Sequence, residues 1–424
     1  MRFLLSYSAD HFDPNRPVAQ HNHWGTSANV ISRTIHAALA KRGEVTFIDA
    51  TEPERVAGEH FDAFIGIQRN FGTILEQCSA DRSVLVAVNM HPAEHNELLL
   101  GFVVREELPS ASLHALDFQD VAQRARVLDR ADSILLFGNS RTRDSYTSHG
   151  IPPAKIRLVN YGVDVPIGHR KRRPAEGPRT EILHAASEIG LRKGFDIVTA
   201  LVDQVGLEEH GAHLHIVGTA TYPHYIAELD ELTERHSPHV TNHGWVPASS
   251  DRYRDLLDRC DYLLFPSLEE GQAGTVLDAM ARGVVPLISR NCGVDFAPLG
   301  FCELARDSSH NRELLLSGCA LTETERGRLR AETIDHYREF HASFEEMLDD
   351  ALHEFIAASP AAARGRPSVA RESASPSLSR MGFGDGFLRL RQRTRLRYLV
   401  ARLRWFNTWK FHQVLGGVRR RLSA

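Results

Sequence analysis

Short apolar runs alternate with helical patterns over residues 1–300, and this alternation limits the chain to a small group of folds. Strand candidates in its first half are RFLLSYS, VTFIDA, FDAFIGI, SVLVAVNM, SILLFGN and KIRLVNYGV. Helical patterns such as ANVISRTIHAALAKRG lie between them. Strands that alternate with helices form parallel sheets with helices on both faces. The sequence therefore predicts an α/β fold.

The alternation stops once and then starts again. Residues 166–179 are rich in basic residues, Pro and Gly and have no periodicity, which predicts a linker. New strand candidates follow in the runs EILHAAS, HLHIVGTA, VTNHGWV, DYLLFPS and VVPLISR. We therefore predict two Rossmann-like, doubly wound domains, residues 1–165 and 180–335, with a ligand cleft between them at the carboxyl ends of their strands.

The composition of the chain changes beyond these domains. Residues 322–358 have a helical pattern throughout, and we assign 336–358 as a C-terminal helix. Residues 359–379 are of low complexity, which predicts a disordered linker. Residues 380–424, the basic tail, contain twelve Lys or Arg and one acid, so they carry +11 in a chain of net charge −4. An acidic body with a basic end predicts a separate partner for the tail.

Apolar and aromatic side chains accompany the charge of the basic tail. Leu396, Leu399 and Leu403 recur at helical spacing, and Trp405 and Trp409 lie one turn apart. A basic amphipathic helix with aromatic residues is typical of proteins that bind an anionic membrane surface. Two alternatives stay open, a helix docked on the acidic body of the same chain and a helix docked on a partner protein. No recognition motif accompanies the charge, so no nucleic-acid partner is predicted.

Cysteine use and hydropathy indicate the compartment. Five scattered cysteines without C-x-x-C spacing argue against a disulfide framework and a thiolate zinc site, and they suit a reducing compartment. The N-terminal residues lack the apolar core of a signal peptide, and no run of about 18 apolar residues is available to span a membrane. We expect a cytoplasmic protein, with peripheral binding to the inner face of the membrane as an extension of the tail hypothesis.

One strand-to-helix loop concentrates polar residues. SLEEGQAGTVLDAMARG, residues 267–283, overlaps the end of the buried strand pattern DYLLFPS and enters a helix near Ala273. The first N–H groups of a helix have no partners within it and favour an anion, and small residues let a phosphate approach them. Glu270 and Asp278 then reach different parts of one ligand. The alternative is an ordinary capped corner with solvated acids.

The spacing of Glu270 and Asp278 resembles the acid-x7-acid motif of retaining GT-B glycosyltransferases of family four, the glycosyl transferases group 1. Three other segments resemble that family in the same order along the chain. They are ADSILLFGNSRTRDSYTSHGIPPAKIRLVNYGVDV, LHAASEIGLRKGFDIVTALV, and HLHIVG followed by VTNHGWVP. The resemblance covers about residues 1–345 and implies a GT-B architecture, in which two Rossmann-like domains face a central cleft.

The resemblance implies a role for each polar residue of the loop. Glu270 contacts the hydroxyls of the donor sugar, and Asp278 contacts the ribose. Three amides at the helix start face the diphosphate, those of Ala273, Gly274 and Thr275. Lys193, with Arg192 beside it, neutralises the charge of the diphosphate.

The resemblance also implies contacts from other parts of the cleft. Gly25 and Thr26 match the family's small-residue loop near the phosphate and the acceptor. His91, at the end of the strand VLVAVNM, matches a histidine beside the reacting sugar carbon. The nucleotide base is bordered by His243, Gly244 and Trp245, with core packing as the alternative for the tryptophan. The predicted catalytic residues are thus Glu270, His91 and Lys193.

Two positions depart from the family's pattern. Asp278 stands where the motif has a Glu, which is one methylene longer, and Ser187 stands where some members have an Arg that helps to bind the diphosphate. We therefore expect a looser ribose contact and a larger share of the diphosphate charge on Lys193 and Arg192. These departures keep a catalytically weak, binding-only protein open as an alternative.

The reaction that the resemblance implies is glycosyl transfer with retention, in the synthesis of a glycan, glycolipid or polysaccharide. The donor is a UDP- or GDP-sugar, the acceptor is a carbohydrate or a lipid-linked hydroxyl, and no cofactor or metal ion is expected. A nucleotide-sugar epimerase of the same fold is an alternative, although the sequence identifies no acid and base for it. His91-Pro-Ala-Glu94-His95 also matches the H-x-x-E-H pattern of zinc metalloproteases, but no third ligand is evident.

Overall fold

The N-terminal part of the chain forms a six-stranded parallel sheet. The computed structural model describes residues 1–109, 112, 117–168 and 180–357. The strands are β1 (Arg2–Tyr7), β2 (Glu44–Asp49), β3 (His60–Phe61), β4 (Ala63–Ile67), β5 (Ser79–Ala80), β6 (Ser83–Ala87), β7 (Ser133–Phe137) and β8 (Ile156–Val159). The sheet order is β2-β1-β4-β6-β7-β8, and β3 pairs with β5 separately.

Helices pack on both faces of this sheet. They are α1 (Ser27–Ala40), α2 (Phe71–Gln77), α3 (Pro92–Arg105), α4 (Val121–Arg130) and α5 (Ser140–Thr147). Leu5 of β1 belongs to the same hydrophobic cluster as Ile35 of α1, whereas its neighbour Leu4 belongs to the cluster of Ile74 and Leu128. Because successive side chains of a strand point to opposite faces, the apolar run of β1 is buried on both sides.

The second parallel sheet follows in the same manner. Its strands are β9 (Thr180–Ile189), β10 (Ala212–Ala220), β11 (Val240–Asn242), β12 (Tyr262–Phe265) and β13 (Val285–Ile288), in the order β11-β10-β9-β12-β13. Its helices are α6 (Phe195–Val205), α7 (Pro223–Arg235), α8 (Asp251–Arg259), α9 (Gly274–Ala281) and α10 (Ser309–Ala320). The α/β prediction is confirmed. We call the parts that hold the first and second sheets the N-terminal and C-terminal domains.

The C-terminal helical region differs from the prediction of one continuous pattern. It consists of α11 (Glu323–Phe340) and α12 (Phe344–Ala357), so the predicted boundary at residue 336 falls inside α11. The chain turns at 341–343, and Phe344 then packs against Phe137 and Tyr161 with ring centroids 6.0 and 6.3 Å apart. This contact directs α12 back to the N-terminal domain, where it packs on α1 and β8.

Several predicted segments lie outside the described residues. They are residues 169–179 of the linker, the low-complexity residues 359–379 and the basic tail. At the described start of the linker, Arg282 donates a hydrogen bond of 2.8 Å to the carbonyl of Pro166. Among the helices that the structure describes, none is long and apolar enough to cross a membrane.

Candidate functional site

A cleft of about 690 Å³ lies between the two sheets. Tyr7 and Phe265, the last residues of β1 and β12, line it, as does Val88, which directly follows β6. The carboxyl ends of parallel strands are the usual ligand position in doubly wound domains. Most of the predicted donor-site residues line this cleft, namely Thr26, Arg192, Lys193, Trp245, Glu270, Ala273, Gly274, Thr275 and Asp278.

Two helix N-termini meet at the cleft. Helix α9 begins after Ala273, whose side chain has no acceptor to cap the first amides. Helix α1 begins after Thr26, whose hydroxyl donates to the carbonyl of His23 at 2.8 Å and caps no amide. A Cβ atom on Gly274 would lie 3.2 Å from the hydroxyl oxygen of Ser27. Both helix starts therefore favour an anion at one place.

The amide of Ala273 is not available in the way that the resemblance implies. Its N–H donates to the carbonyl of Cys292 at 3.0 Å and so ties the loop to the 3₁₀ turn Arg290–Cys292. The first amides of α9 itself, those of Gly274 and Thr275, have no partner within the helix. They are the amides that a phosphate is free to approach.

A glycine sets the position of the two cations. Arg192 and Lys193 lie on the 3₁₀ turn Leu191–Lys193, which ends at Gly194 with φ +74°. A Cβ atom at this glycine would overlap the carbonyl of Pro266. Because Gly194 has no side chain, the turn that carries Lys193 can pack directly against the loop that follows β12.

Lys193 and Arg192 are paired with Glu270 at the wall of the cleft. Lys193 Nζ contacts Glu270 Oε1, and Arg192 Nη1 lies 3.5 Å from Glu270 Oε2. The hydroxyl of Ser267 donates to the same carboxylate at 3.0 Å. Burial and then Arg192 lower the pKa of Lys193, while Glu270 opposes that shift. A diphosphate therefore meets two positioned cations, but it has to compete with Glu270 for them.

Asp278 has an unsatisfied oxygen beside the cleft. The residue is only 6% exposed, and its Oδ1 has no hydrogen-bond partner. Burial, and secondly the charge of Asp164, raise the pKa of Asp278 to about 8. The Tyr253 hydroxyl favours the charged form of the Asp278 carboxyl and so lowers the pKa, but this effect is outweighed. Buried polar atoms nearly always have partners, so this oxygen is suited to a hydroxyl of a ligand.

The predicted base region is only partly at the cleft. Trp245 lines the cleft and is 47% exposed, which excludes core packing. Gly244 does not line the cleft. Both of its backbone groups are already paired, since its N–H donates to Asn242 Oδ1 and its carbonyl accepts from the N–H of Gly218, both at 2.9 Å. His243 bonds His215 through its Nε2 at 2.9 Å. Of the three predicted residues, the tryptophan alone presents its side chain to the cleft.

Gly25 supports the cleft without lining it. It has φ +77°, and a Cβ atom there would lie 3.1 Å from the Cβ of Ser249 in the C-terminal domain. Glycine is thus required both for the backbone conformation and for the close approach of the two domains. Thr26, the next residue, is the one that reaches the cleft.

His91 is not among the residues that line the cleft, and its predicted role stays a prediction. Pro92 starts α3, so His91 becomes the N-cap, and its Nδ1 accepts the N–H of Ala93 at 3.2 Å. The ring stacks on His149 at 4.4 Å and meets the edge of Tyr146 at 5.4 Å. Burial, and secondly His149, lower the pKa of His91 to about 3. This environment is that of a neutral, structural histidine.

The H-x-x-E-H pattern does not form a metal site. The ring of His95 bonds Glu269 through Nδ1 and the carbonyl of Asp117 through Nε2, each at 2.8 Å. Glu94 pairs with Arg141 at 3.4 Å. Within the described residues, one other group, Asp196, His224 and Glu228, has possible ligand atoms within 4.8 Å of one another, and none of the three lines the cleft.

Several residues at the cleft were not predicted from the sequence. His11 and His23 line its N-terminal side, with ring centroids 4.5 Å apart. Tyr253 lies at the base of the C-terminal side, where its hydroxyl is 3.2 Å from Thr275 Oγ1. The density of histidines in the segment HFDPNRPVAQHNHW is the one sequence signal that points to this wall.

A family match covers the C-terminal domain. Residues 180–303 match the model of a family described as Glycosyl transferases group 1. The matched region contains the two cations and the whole loop from Ser267 to Gly283. A comparison with curated proteins finds no match for the chain. The resemblance to group 1 glycosyl transferases that was predicted from the sequence is confirmed.

Solved structures share the fold at low identity. The sucrose-phosphate synthase of Thermosynechococcus elongatus is 15% identical with a TM-score of 0.58, covering 85% of this chain and 100% of that one. Anabaena HepE, solved with UDP and glucose, is 12% identical with a TM-score of 0.53, covering 84% and 99%. The GT-B architecture predicted from the sequence is confirmed by these similarities.

A longer protein also shares the fold. Staphylococcus aureus TarM, solved as a mutant with Fondaparinux, α-GlcNAc-glycerol and UDP, is 12% identical with a TM-score of 0.52. The match covers 73% of this chain and 58% of TarM, so this chain spans less than two thirds of that protein.

Proposed function

We propose that the protein is a retaining glycosyltransferase, which transfers a sugar from a nucleotide sugar to a hydroxyl of a carbohydrate or lipid-linked acceptor. One observation carries the proposal. The two cations paired with Glu270, the uncapped start of α9 and the unpartnered oxygen of Asp278 all line a single cleft. Groups that recognise an anion and a group that recognises a hydroxyl are thus combined in one cleft, as a nucleoside diphosphate sugar requires.

The chemical task of these residues is to stabilise the leaving group. When the bond between the sugar and the diphosphate breaks, negative charge grows on the departing phosphate oxygen. Lys193 and the amides of Gly274 and Thr275 oppose that charge from fixed positions, with no reorganisation of solvent. A closed cleft also keeps water from the donor, which limits its hydrolysis.

Glu270 orients the donor sugar for transfer, and Asp278 holds the ribose. Glu270 accepts hydrogen bonds from donor sugar hydroxyls once the diphosphate has taken over part of its pairing with Lys193. Asp278 supplies its unpartnered oxygen to the ribose. Retention of the anomeric configuration and independence from metal ions are also part of the proposal. Arg192 and Lys193 line the cleft and can stabilise the charge of the diphosphate in place of a metal ion.

UDP-sugars are the first donors to test. Two solved proteins of similar fold, HepE and TarM, hold UDP in their crystal structures. A place in glycolipid or polysaccharide synthesis follows from the acceptor class, and the anionic membrane surface is the proposed partner of the basic tail.

The test is nucleotide release from a panel of UDP-, GDP- and ADP-sugars, for the wild type and for Lys193→Ala. We expect release from one nucleotide class in the wild type, and loss of that release in the variant. A matched control is Lys155→Ala, because Lys155 bonds the carbonyl of Leu128 in the N-terminal domain, outside the cleft lining. Release that survives Lys193→Ala contradicts the proposed site.

The alternatives give different results on the same samples. A binding-only protein is thermally stabilised by the nucleotide but releases nothing from any donor with any acceptor. An epimerase converts the donor into its epimer without releasing the nucleotide. The anomeric configuration of the product, read from its proton coupling constant, decides between retention and inversion, and activity in EDTA decides the need for a metal ion.

A further inference from the structure

Glu269, the neighbour of Glu270, is completely buried between the two domains. It is 0% exposed and belongs to the loop after β12 in the C-terminal domain. Its carboxylate faces the other domain. Oε1 accepts the N–H of Met90, and Oε2 bonds Nδ1 of His95 on α3, both at 2.8 Å.

The bonds of His95 fix its charge. The residue is 1% exposed, and its two ring nitrogens each face a group that only accepts, the Glu269 carboxylate and the Asp117 carbonyl. Against the effect of burial, His95, Arg192 and the Met90 N–H lower the pKa of Glu269, so its carboxyl is ionised. Both ring nitrogens of His95 then carry a proton, as an imidazolium. Although burial lowers the pKa of His95, the bond to Glu269 and its charge outweigh that effect and raise it. The two residues form a buried ion pair across the domain boundary.

The residues on the other side of Glu270 are also held by the N-terminal domain. The carbonyl of Gly271 accepts a hydrogen bond of 2.9 Å from the hydroxyl of Thr142. Gln272 Oε1 accepts the N–H of Tyr161 at 2.8 Å. Glu270 therefore sits between anchors in the N-terminal domain, while its own carboxylate is turned to the cations of the C-terminal domain.

We propose that Glu269 is a positioning residue, which makes the orientation of Glu270 depend on the docking of α3 against the loop. The donor site is then complete only when the two domains are docked. An approach of Glu269 to Arg192 at 3.8 Å connects the same carboxylate to the cation pair. This inference rests on the proposed function of the cleft, since it concerns the site in which Glu270 acts.

The positioning role of Glu269 can be distinguished from nucleotide binding by where the residues lie. Neither Glu269 nor His95 lines the cleft, whereas Lys193, Gly274 and Thr275 do. Loss of the ion pair leaves Lys193 and the amides of Gly274 and Thr275 in place and takes one carboxylate charge from near Arg192, but it frees the segment that carries Glu270. We therefore expect a change in turnover that is much larger than the change in UDP affinity.

The test compares Glu269→Gln, His95→Gln and the double variant with Glu76→Gln. Glu76 on α2 pairs with Arg130 at 2.8 Å within the N-terminal domain, and neither residue lines the cleft, so this variant is a matched control. In Glu269→Gln we expect kcat to fall at least about tenfold, with the Kd of UDP changed by less than about threefold. The double variant should be no worse than the single ones, because two amides can bond each other where one unpaired charge cannot.

A second measurement does not need turnover. In the wild type, the amides of residues 267–273 and of α3 should be protected from hydrogen exchange to the same degree. Glu269→Gln should lower the protection of both segments. If a variant fails to fold, the wild-type exchange pattern still decides the coupling. Equal losses of kcat and UDP affinity, additive effects in the double variant, or independent exchange of the two segments overturn the inference. A wild type that turns over no donor instead contradicts the proposed function, and the exchange result stands apart from it.

Discussion

Glu270 competes with the ligand that its neighbours are placed to bind. Its carboxylate occupies Lys193 and lies within 3.5 Å of Arg192. In a transferase this pairing has two consequences. It holds the cations in position before the nucleotide arrives, and it lowers their affinity for a bare diphosphate.

The substitution Glu270→Gln separates these two consequences. UDP should bind as tightly as before or more tightly, because the cations lose a competing carboxylate. Turnover of the nucleotide sugar should fall about 10- to 100-fold, since a hydrogen bond to a charged group contributes about 1.5–3 kcal/mol. Titration calorimetry with UDP and nucleotide-release kinetics measure the two effects. Glu234→Gln, on the exposed side of α7, serves as the control, and weaker UDP binding by Glu270→Gln contradicts this account.

Asp278 makes the stability of the protein depend on pH. Its pKa is about 8 in the folded protein against 3.8 for an ordinary Asp. The folded protein therefore keeps a proton that the unfolded chain loses. The contribution of this group to stability is present in full below pH 3.8 and is lost as the pH rises to about 8.

Asp278→Asn should remove that loss. Relative to the wild type, the variant should gain free energy of unfolding as the pH rises from 3.8 to about 8, by at most about 1.4 kcal/mol per pH unit. Above that range the difference should be constant. Denaturant unfolding at several pH values measures it, with Asp335→Asn on exposed surface as the control. A difference between wild type and variant that does not vary with pH contradicts the raised pKa.

At the scale of elements, helix α6 offers a comparison between two glycines. Gly194 precedes the helix with φ +74°, and Gly206 follows it with φ +67°. A Cβ atom at Gly206 meets its nearest neighbour at 3.5 Å, whereas one at Gly194 overlaps the Pro266 carbonyl. The two glycines thus have the same left-handed backbone conformation, but a side chain has room at Gly206 and has none at Gly194.

We predict that Gly206→Ala costs about 1–2 kcal/mol, which is the strain of an L-residue in the left-handed region, and leaves turnover unchanged. Gly194→Ala should cost more and should also lower turnover, because the turn that carries Lys193 has to move away from Pro266. Urea unfolding and nucleotide release, measured on both variants, give the comparison. Equal effects of the two substitutions contradict the role assigned to the turn.

Helices and strands could be predicted from the sequence where a local residue pattern determines them. The runs of β1, β7 and β12 have apolar, buried centres with side chains on both faces, so their strands were evident. The loop after β12 was also evident, since small residues and acids stand between a strand pattern and a helix pattern. The break between α11 and α12 was not, because Phe344 turns the chain through a contact with distant aromatic residues.

The same limit applies to the site. Glu270, Asp278 and Lys193 were identified by their spacing and by the resemblance, and all three line the cleft. His91 is the N-cap of α3, a role that the Pro after it signals in the sequence, and it lies outside the cleft lining. Glu269 depends on contacts with Met90 and His95, which lie far from it in the chain, so no local pattern contains them.

At the scale of the whole molecule, α12 returns the chain to the N-terminal domain. Arg42 on the turn after α1 binds both carboxylate oxygens of Asp349, at 2.6 and 2.8 Å. Leu348 and Leu352 of α12 are 0% exposed and belong to the same hydrophobic cluster as Leu5. A chain that ends at residue 357 therefore keeps all the contacts described for the two sheets.

We predict that this shortened chain loses membrane binding but keeps its activity on a water-soluble acceptor. Removal of residues 358–424 takes away the whole +11 charge of the basic tail. Co-sedimentation with phosphatidylglycerol vesicles should fall to the level seen with phosphatidylcholine vesicles, while nucleotide release changes by less than about twofold. Full-length protein at high salt is the control, because salt screens the attraction to anionic lipid. Undiminished sedimentation of the shortened chain contradicts the assigned role of the tail.

The most direct test of the central claim is a crystal structure of the protein with UDP. We predict that the diphosphate lies within hydrogen-bond distance of Lys193 Nζ and of the amides of Gly274 and Thr275, with the ribose on Asp278. Glu270 should have released part of its contact with Lys193. A UDP molecule bound elsewhere, or bound in the cleft with its phosphates away from the start of α9, contradicts the claim that this cleft holds a nucleotide sugar.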